Sequence, residues 1–360
     1  LIYARGRKKG TDKTGGQDWM SEKRHIILDK YGMFLSKHSE RLRIKSEGQI
    51  VEEVPLIHLD SVLITSRGVS ISSDVVEVCA ERGIDIIYIS GNGNVYGRLS
   101  GPALVGTVKT RREQLMALGD RRGFELGRAF AAGKIHNQKN IIRYFARYRK
   151  VVDSELFGFL EDSRKRLENN IKTLIELNSH NVDEARDMIL NIEGRSASIY
   201  WDAMKALLRD DTEWQGREGR GASDPINSAL NYGYGILYGQ VEKAIILAGL
   251  DPYAGFVHTD RAGKPSLVLD LIEEFRQQVV DRVIFGMLGK RSEIKVDDEG
   301  RLDEKTRKVI AQKFFERLDG EERYAGMKQK LRTIMLKQAQ AVASFLRGDR
   351  PVYKPFIGGW

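Results

Sequence analysis

Cysteine is almost absent from this chain: Cys79 is the only one in 360 residues. One cysteine excludes an internal disulfide and a cysteine-based zinc site, and it fits a reducing, cytoplasmic compartment. No run of about 18 apolar residues exists, so no membrane-spanning helix is expected. The first twenty residues, "LIYARGRKKGTDKTGGQDWM", are basic and Gly-rich and lack the apolar core of a secretory signal. Position 1 is not Met, and a Met stands at position 20. Residues 1–20 are therefore expected to be a disordered leader, either a tag remnant, a linker or the tail of a fused partner. No HExxH motif occurs, and a lone His with carboxylates is a poor zinc set, which argues against a zinc hydrolase. Internal repeats and heptad arrays are also missing.

What is present is ordinary for a soluble globular protein: 41% hydrophobic and 30% charged residues. The length suits two domains with well-buried cores. The net charge of +9 is unevenly spread. Residues 101–150 hold 12 Lys/Arg against 3 Asp/Glu, and residues 301–360 hold 14 against 7, whereas residues 151–300 hold 18 against 27. Two basic segments flanking an acidic middle suit a protein that holds a polyanion around a cation-requiring site, although chance variation of surface charge would look similar.

The hydrophobic patterning predicts an α+β chain: a small N-terminal β-rich domain followed by a larger all-α-helical catalytic domain. "HIILD", "GMFLS", "LRIKS", "IVEEVPL" and "SVLITS" read as short strands. "SSDVVEVCAERG" reads as a helix capped by Ser72 or Ser73 and stopped by Gly83. "IDIIYIS" is a buried strand, and "GNGN" a hairpin turn into "VYGRLS". From Thr110 the apolar spacing becomes helical. Helices are expected over 182–208, 225–249 and about 267–288, with two more toward the C-terminus and an extended tail from Asp349. "EWQGREGRGAS" reads as a Gly-rich connection. The expected domains are 21–105 (β), 106–115 (linker) and 116–360 (helical).

Three places carry candidate chemistry. On 182–208 the apolar stripe is expected to include Met188, Ile192, Ala197, Trp201, Met204 and Leu208. Glu193 falls on or beside it, and a buried carboxylate must be paired or bind a metal. His258 lies alone in a loop, where most histidines are satisfied or solvated. Asp270, Glu273 and Gln277 follow at i, i+3 and i+7, on one face of a helix that by spacing alone reads first as a solvated acidic face near an N-terminus. An imidazole with two or three carboxylates would suit Mg²⁺ or Mn²⁺.

The ordered segments "VPLIHLDSVLI", "GVSISSDVVEVCAERGIDIIYISGNGNVYGRL", "TRREQ", "GKIHNQKNIIRY", "IEGRSASIYW", "DPINSALNYGYGILY", "AGLDPYAGFVH" and "SLVLDLIEEFR" resemble the CRISPR-associated spacer-acquisition integrases, the first-numbered protein of the Cas series. The resemblance covers roughly residues 25–357. It implies a β-domain joined to a helical domain, with a Mg²⁺ or Mn²⁺ site at Glu193, His258 and Glu273. Asp270 is implied as an accessory carboxylate. Because the His-to-acid spacing varies in the family, Asp270 and Glu273 can exchange roles. The implied reaction inserts short DNA fragments into a repeat array by transesterification, with a 3′-hydroxyl as nucleophile. The implied assembly is a homodimer with a dimer of the small second-numbered Cas protein, and a fused or associated end-processing nuclease where such domains exist. Arg111, Arg112, Lys134 and Lys139 are candidate contacts to the DNA backbone, and Tyr200 or Tyr232 could stack on a frayed base. The same residues would also serve a structure-specific repair nuclease, with water as nucleophile. A non-catalytic DNA-binding scaffold is the remaining reading.

Overall fold

The computed structural model describes residues 24–90, 95–99, 107–147, 149–208, 214–219, 222–258 and 261–359. The expected leader, the "GNGN" turn and part of the Gly-rich connection lie outside them. The chain divides into two compact units, Leu1–Ala103 and Leu104–Trp360.

The first unit is β-rich, as its alternating and β-branched segments require. One four-stranded sheet is ordered β1 (Arg24–Leu28), β5 (Leu59–Ile64), β7 (Asp85–Ile89), β8 (Val95–Leu99). The other is ordered β4 (Gln49–Pro55), β3 (Arg41–Ser46), β2 (Phe34–His38), β6 (Ser70–Ile71). β1–β5 and β5–β7 pair in parallel, and β7–β8 pair antiparallel. Helix α1 (Ser73–Glu81) supplies Val75, Val78 and Cys79 to a core shared with both sheets, among Ile26, Leu35, Ile44, Val62 and Ile86. Ser72 stands at its N-cap, but its hydroxyl donates to the carbonyl of Leu35 instead of capping the helix. Gly83 ends it at φ +66, the left-handed conformation that glycine adopts without strain.

The second unit is helical: α2 (Thr107–Met116), α3 (Arg121–Ala146), α4 (Arg149–Val152), α5 (Ser154–Glu176), α6 (Val182–Leu208), α7 (Pro225–Leu247), α8 (Ser266–Leu271), α9 (Arg282–Leu288), α10 (Glu304–Leu318) and α11 (Leu331–Leu346). A two-stranded hairpin, β9 (Glu321–Tyr324) with β10 (Met327–Lys330), interrupts the helices. Side-chain carboxylates cap α3 (Asp120), α5 (Asp153), α7 (Asp224, with Pro225 following) and α10 (Asp303).

Two features depart from the sequence pattern. The segment expected as a linker is helical from Thr107. The buried amide of Gln114 ties α2 down by donating to the carbonyls of Asp251 and Ala254 (2.9 and 2.7 Å) and accepting from the Asp251 amide at 2.8 Å. The expected helix 267–288 is broken. After α8 the backbone tightens into a 3-10 turn at Ile272–Glu274, then widens into a π-helical turn at Gln277–Asp281 before α9. Successive carboxylates therefore point to different neighbours. The acidic face is not solvated: Asp270, Glu273, Glu274 and Gln277 are all buried.

Helix α3 is the central strut. Gly133 makes this possible, because a Cβ there would lie 2.8 Å from Pro355 and 3.1 Å from Glu274. The C-terminal tail thus packs directly on α3 beside the broken helix. Asn137 fastens it: Nδ2 donates to the carbonyls of Glu274 and Phe356 (2.9 Å each), and Oδ1 accepts from the Gly358 amide at 2.8 Å.

Candidate metal centre

Glu193 lies on α6, whose buried face runs through Ile189, Ile192, Ser196, Ile199, Tyr200, Ala203 and Met204. The face is displaced by part of a turn from the expected stripe, since Met188 is 54% exposed. Glu193 sits at the edge of this face with its side chain 14% exposed. Its partner comes from α3: Nζ of Lys134 is ion-paired with Glu193 Oε1 and with Glu273 Oε2, the latter at 2.8 Å. Arg276 Nε contacts the other oxygen of Glu273 at 2.9 Å. Two carboxylates from different elements thus share one buried ammonium, and a guanidinium completes the cluster.

Mutual attraction keeps Lys134 and Glu273 charged despite burial. Burial alone would lower the Lys134 pKa, but the Glu273 and Glu193 carboxylates outweigh it and hold it above its ordinary value. Burial would raise Glu273; Arg276 and Lys134 overcome that and hold it below the usual carboxylate range.

His258 approaches from the loop between α7 and α8. Asp270 holds it there. One carboxylate oxygen accepts from the amides of Phe256 (2.6 Å) and Val257 (3.1 Å). The other accepts from the His258 amide (3.0 Å) and lies 2.7 Å from His258 Nδ1. Asp270 is 1% exposed, so both its oxygens are committed to this loop. In the neutral ring, donation from Nδ1 to Asp270 leaves the Nε2 lone pair available, the arrangement that commonly orients a metal-binding histidine. Burial pulls the imidazole pKa down, but the hydrogen bond and charge of Asp270, aided by Glu273 and Glu193, leave it raised.

Among the described residues, three or more His, Cys, Asp or Glu groups do not converge as a ready coordination shell. The donor chemistry nonetheless fits a divalent ion: two carboxylates, with an imidazole near enough to feel both their charges, form an oxygen-rich mixed set suited to Mg²⁺ or Mn²⁺. The Lys134 ammonium sits on one oxygen of each carboxylate, Glu193 Oε1 and Glu273 Oε2. The exchange of roles between Asp270 and Glu273 finds no support in this geometry, because Asp270 serves the loop and Glu273 faces Glu193.

The candidate DNA contacts fare differently. Arg112 on α2 is exposed, and Arg111 is half-buried. Lys139 pairs with Glu168 of α5. Lys134 belongs to the carboxylate cluster and not to the surface, because two buried carboxylates need a cation. Tyr200 is fully buried and donates to Asp281 at 2.7 Å; Tyr232 is 1% exposed. Neither tyrosine presents a face on which a base could stack.

Several residues beside the site carried no signal in their own spacing. Asp281 accepts from Tyr200 and Tyr234 (2.5 Å) within the π-helical turn. The guanidiniums of Arg276 and Arg217 lie 4.7 and 5.4 Å from the centre of the Tyr234 ring. Glu274 is buried among Tyr353, Gln338 and the Phe356 amide, and burial pushes its carboxyl up to about 7. "EEFR" contains two of these residues, but a continuous helix could not have shown that Glu273 and Glu274 face opposite clusters.

The family model for "CRISPR associated protein Cas1" matches residues 26–316. The chain belongs to the Cas1 family. The "CRISPR-associated endonuclease Cas1 1" of Archaeoglobus fulgidus is 36% identical over 346 residues, 93% of this chain and 99% of that protein. In fold, the chain resembles a casposase bound to integration product, with a TM-score of 0.77, 20% identity and 92% of each chain covered. A Cas6-RT-Cas1–Cas2 complex aligns with a TM-score of 0.73 at 18% identity, covering 96% of this chain and 37% of that one. Both likenesses place the β-rich unit followed by helices among the folds of Cas1 and casposase proteins. Among the described residues no helix is long and apolar enough to cross a membrane.

Proposed function

We propose that this chain is a metal-dependent DNA integrase of CRISPR adaptation, inserting short DNA fragments into a repeat array. The observation that carries the reading is the convergence of Glu193 and Glu273, from separate elements, on one buried cation beside His258. Membership of the Cas1 family and the fold shared with a casposase support it.

Glu193, Glu273 and Nε2 of His258 would hold Mg²⁺ or Mn²⁺, which supplies Lewis-acid stabilisation of the phosphoryl oxygens and acidifies the attacking hydroxyl. The residues of the chain do the rest. Asp270 fixes the imidazole tautomer and the loop that carries it. Arg276, stacked over Tyr234, keeps positive charge beside the reacting phosphate. Exposed basic residues such as Arg112 hold the backbone without reading its sequence. The 3′-oxygen of the incoming fragment forms a bond to phosphorus as its proton passes to solvent. The bond from that phosphorus to the 3′-oxygen of the target strand breaks, and the departing oxygen is protonated.

The working assembly in this reading is a homodimer with a dimer of the small Cas2 protein, joined by an end-processing nuclease where one is fused or associated. The likeness in fold to a Cas6-RT-Cas1–Cas2 complex supports the Cas2 partner. The test is a strand-transfer assay with a short DNA fragment, a repeat-bearing plasmid, Mn²⁺ and the partner protein. Joined product is expected. Hydrolysis without joining would replace this reading with that of a nuclease using water on the same site.

A further inference from the structure

Resting on the metal site proposed above, we propose that Lys134 is an exchangeable internal counter-ion. Its ammonium holds Glu193 and Glu273 in the free protein and swings to the DNA phosphate when a divalent cation binds, so that metal and DNA bind cooperatively.

Charge is the first ground. Glu193 and Glu273 are two anions; Lys134 and Arg276, in contact with them, are two cations. The buried cluster is neutral as it stands. A divalent ion added to it leaves an excess of two positive charges in a region where all four side chains are at most 24% exposed. Buried excess charge is costly unless a counter-ion enters with it. The phosphodiester is the anion that the proposed reaction brings to this place, and charge gathers on its oxygens in the transition state.

Mobility is the second ground, and it separates the two cations. Arg276 is confined by its ring contact: its guanidinium lies 4.7 Å from the Tyr234 ring centre, with Nε 2.9 Å from Glu273. The Tyr234 hydroxyl is itself anchored on Asp281 at 2.5 Å. Lys134 has a compact ammonium on a four-carbon stem, and that ammonium is held by the two carboxylates. Its backbone is closely packed, since a Cβ on neighbouring Gly133 would lie 2.8 Å from Pro355 and 3.1 Å from Glu274. The exchange is therefore a side-chain rotation. It frees one oxygen on each carboxylate at once, since a single Nζ binds both.

Linkage follows. A cation that competes with Lys134 for carboxylate oxygen binds weakly alone, and a phosphate that takes up the displaced ammonium strengthens it; the reverse effect on DNA must be equal. The test is Mn²⁺ titration of the full chain by calorimetry, with and without a short DNA duplex bearing 3′-dideoxy ends. Without DNA, Lys134→Met and Lys134→Gln are expected to bind Mn²⁺ at least about ten-fold more tightly than wild type. Adding DNA should tighten wild-type Mn²⁺ binding at least about ten-fold and that of either variant less than about three-fold. Equal or weaker Mn²⁺ binding by both variants, or an equal gain from DNA, overturns the exchange. Glu193→Gln separates the underlying reading: Mn²⁺ binding unchanged in that variant would reject the metal site itself. Acetylation of wild-type Lys134, read by mass spectrometry, needs no variant. Labelling should be low in the free protein, rise several-fold with Mn²⁺ alone and fall again with Mn²⁺ and DNA; labelling indifferent to Mn²⁺ overturns the proposal.

Discussion

Asp270 accepts from both the backbone amide and the imidazole of His258, while Glu273, one turn onward, faces Lys134. The two acids divide the work: one builds the loop that presents the histidine, the other stays with Glu193. The broken helix between them makes the division possible.

Removing Asp270 should therefore disturb structure before chemistry. Asp270→Ala leaves two buried amides, one half-buried amide and an imidazole without their acceptor, at a cost of about 3–5 kcal/mol in urea unfolding. Hydrogen exchange at Phe256, Val257 and His258 should accelerate in that variant and not in Glu273→Gln. Equal protection in both variants would contradict the division.

The candidate ligands should behave as a set. Glu193→Gln, His258→Ala and Glu273→Gln are each expected to lower Mn²⁺-dependent strand transfer by about 100-fold or more. Circular dichroism should show the helical fold retained. A variant that keeps wild-type transfer rates is not a ligand.

Tyr200 and Arg112 predict opposite outcomes. Tyr200→Phe removes one of the two hydroxyls donating to Asp281, and should cost about 1–3 kcal/mol of stability while leaving DNA affinity unchanged. Arg112→Glu should leave stability alone, weaken DNA binding regardless of sequence and flatten its salt dependence. Urea unfolding reads the stabilities, and fluorescence anisotropy at several salt concentrations reads the DNA affinities.

Asp281 gives stability a pH dependence of unusual sign. Burial raises its carboxyl to about 6 from an ordinary 3.8, against the Tyr234 and Tyr200 hydroxyls and the Arg276 and Arg217 charges that lower it. A raised folded-state pKa means that the folded chain binds the proton more tightly. The contribution is full below the unfolded value and is lost as pH rises through about 6, a change on the order of 3 kcal/mol. Asp281→Asn cannot titrate. The stability of wild type minus that of Asp281→Asn should fall between about pH 4 and 7 in urea unfolding, since other acid-sensitive groups cancel in the difference. A difference that rises with pH refutes the raised value.

Periodicity carried much of the architecture. The alternating, β-branched segments before residue 100 could only bury their apolar sides as a sheet, and the span 182–208 reads as helix in sequence and is helix in the structure. The parallel pairing of β1, β5 and β7 was not legible, since strand order depends on which long-range pairs form. In the site, Glu193 was legible as a carboxylate in need of a partner, because burial of an unpaired charge is costly wherever it occurs. That partner was not legible. Lys134 lies 59 residues away on another helix, in a stretch that otherwise looked like basic surface.

Composition and local pattern alone determined the two-part α+β architecture, the lack of any long apolar run and the few side chains able to bind a metal. They did so because propensity, hydrophobic period and donor chemistry belong to residues and their near neighbours. Tertiary structure decided the rest: which acid serves the loop and which faces Glu193, that Tyr200 is core, and that Lys134 lies among carboxylates. Those outcomes depend on burial and on encounters between distant helices. Asp270 lies within α8, the break that follows carries Glu273 and Glu274 to different partners, and no count of spacing along a continuous helix contains that break.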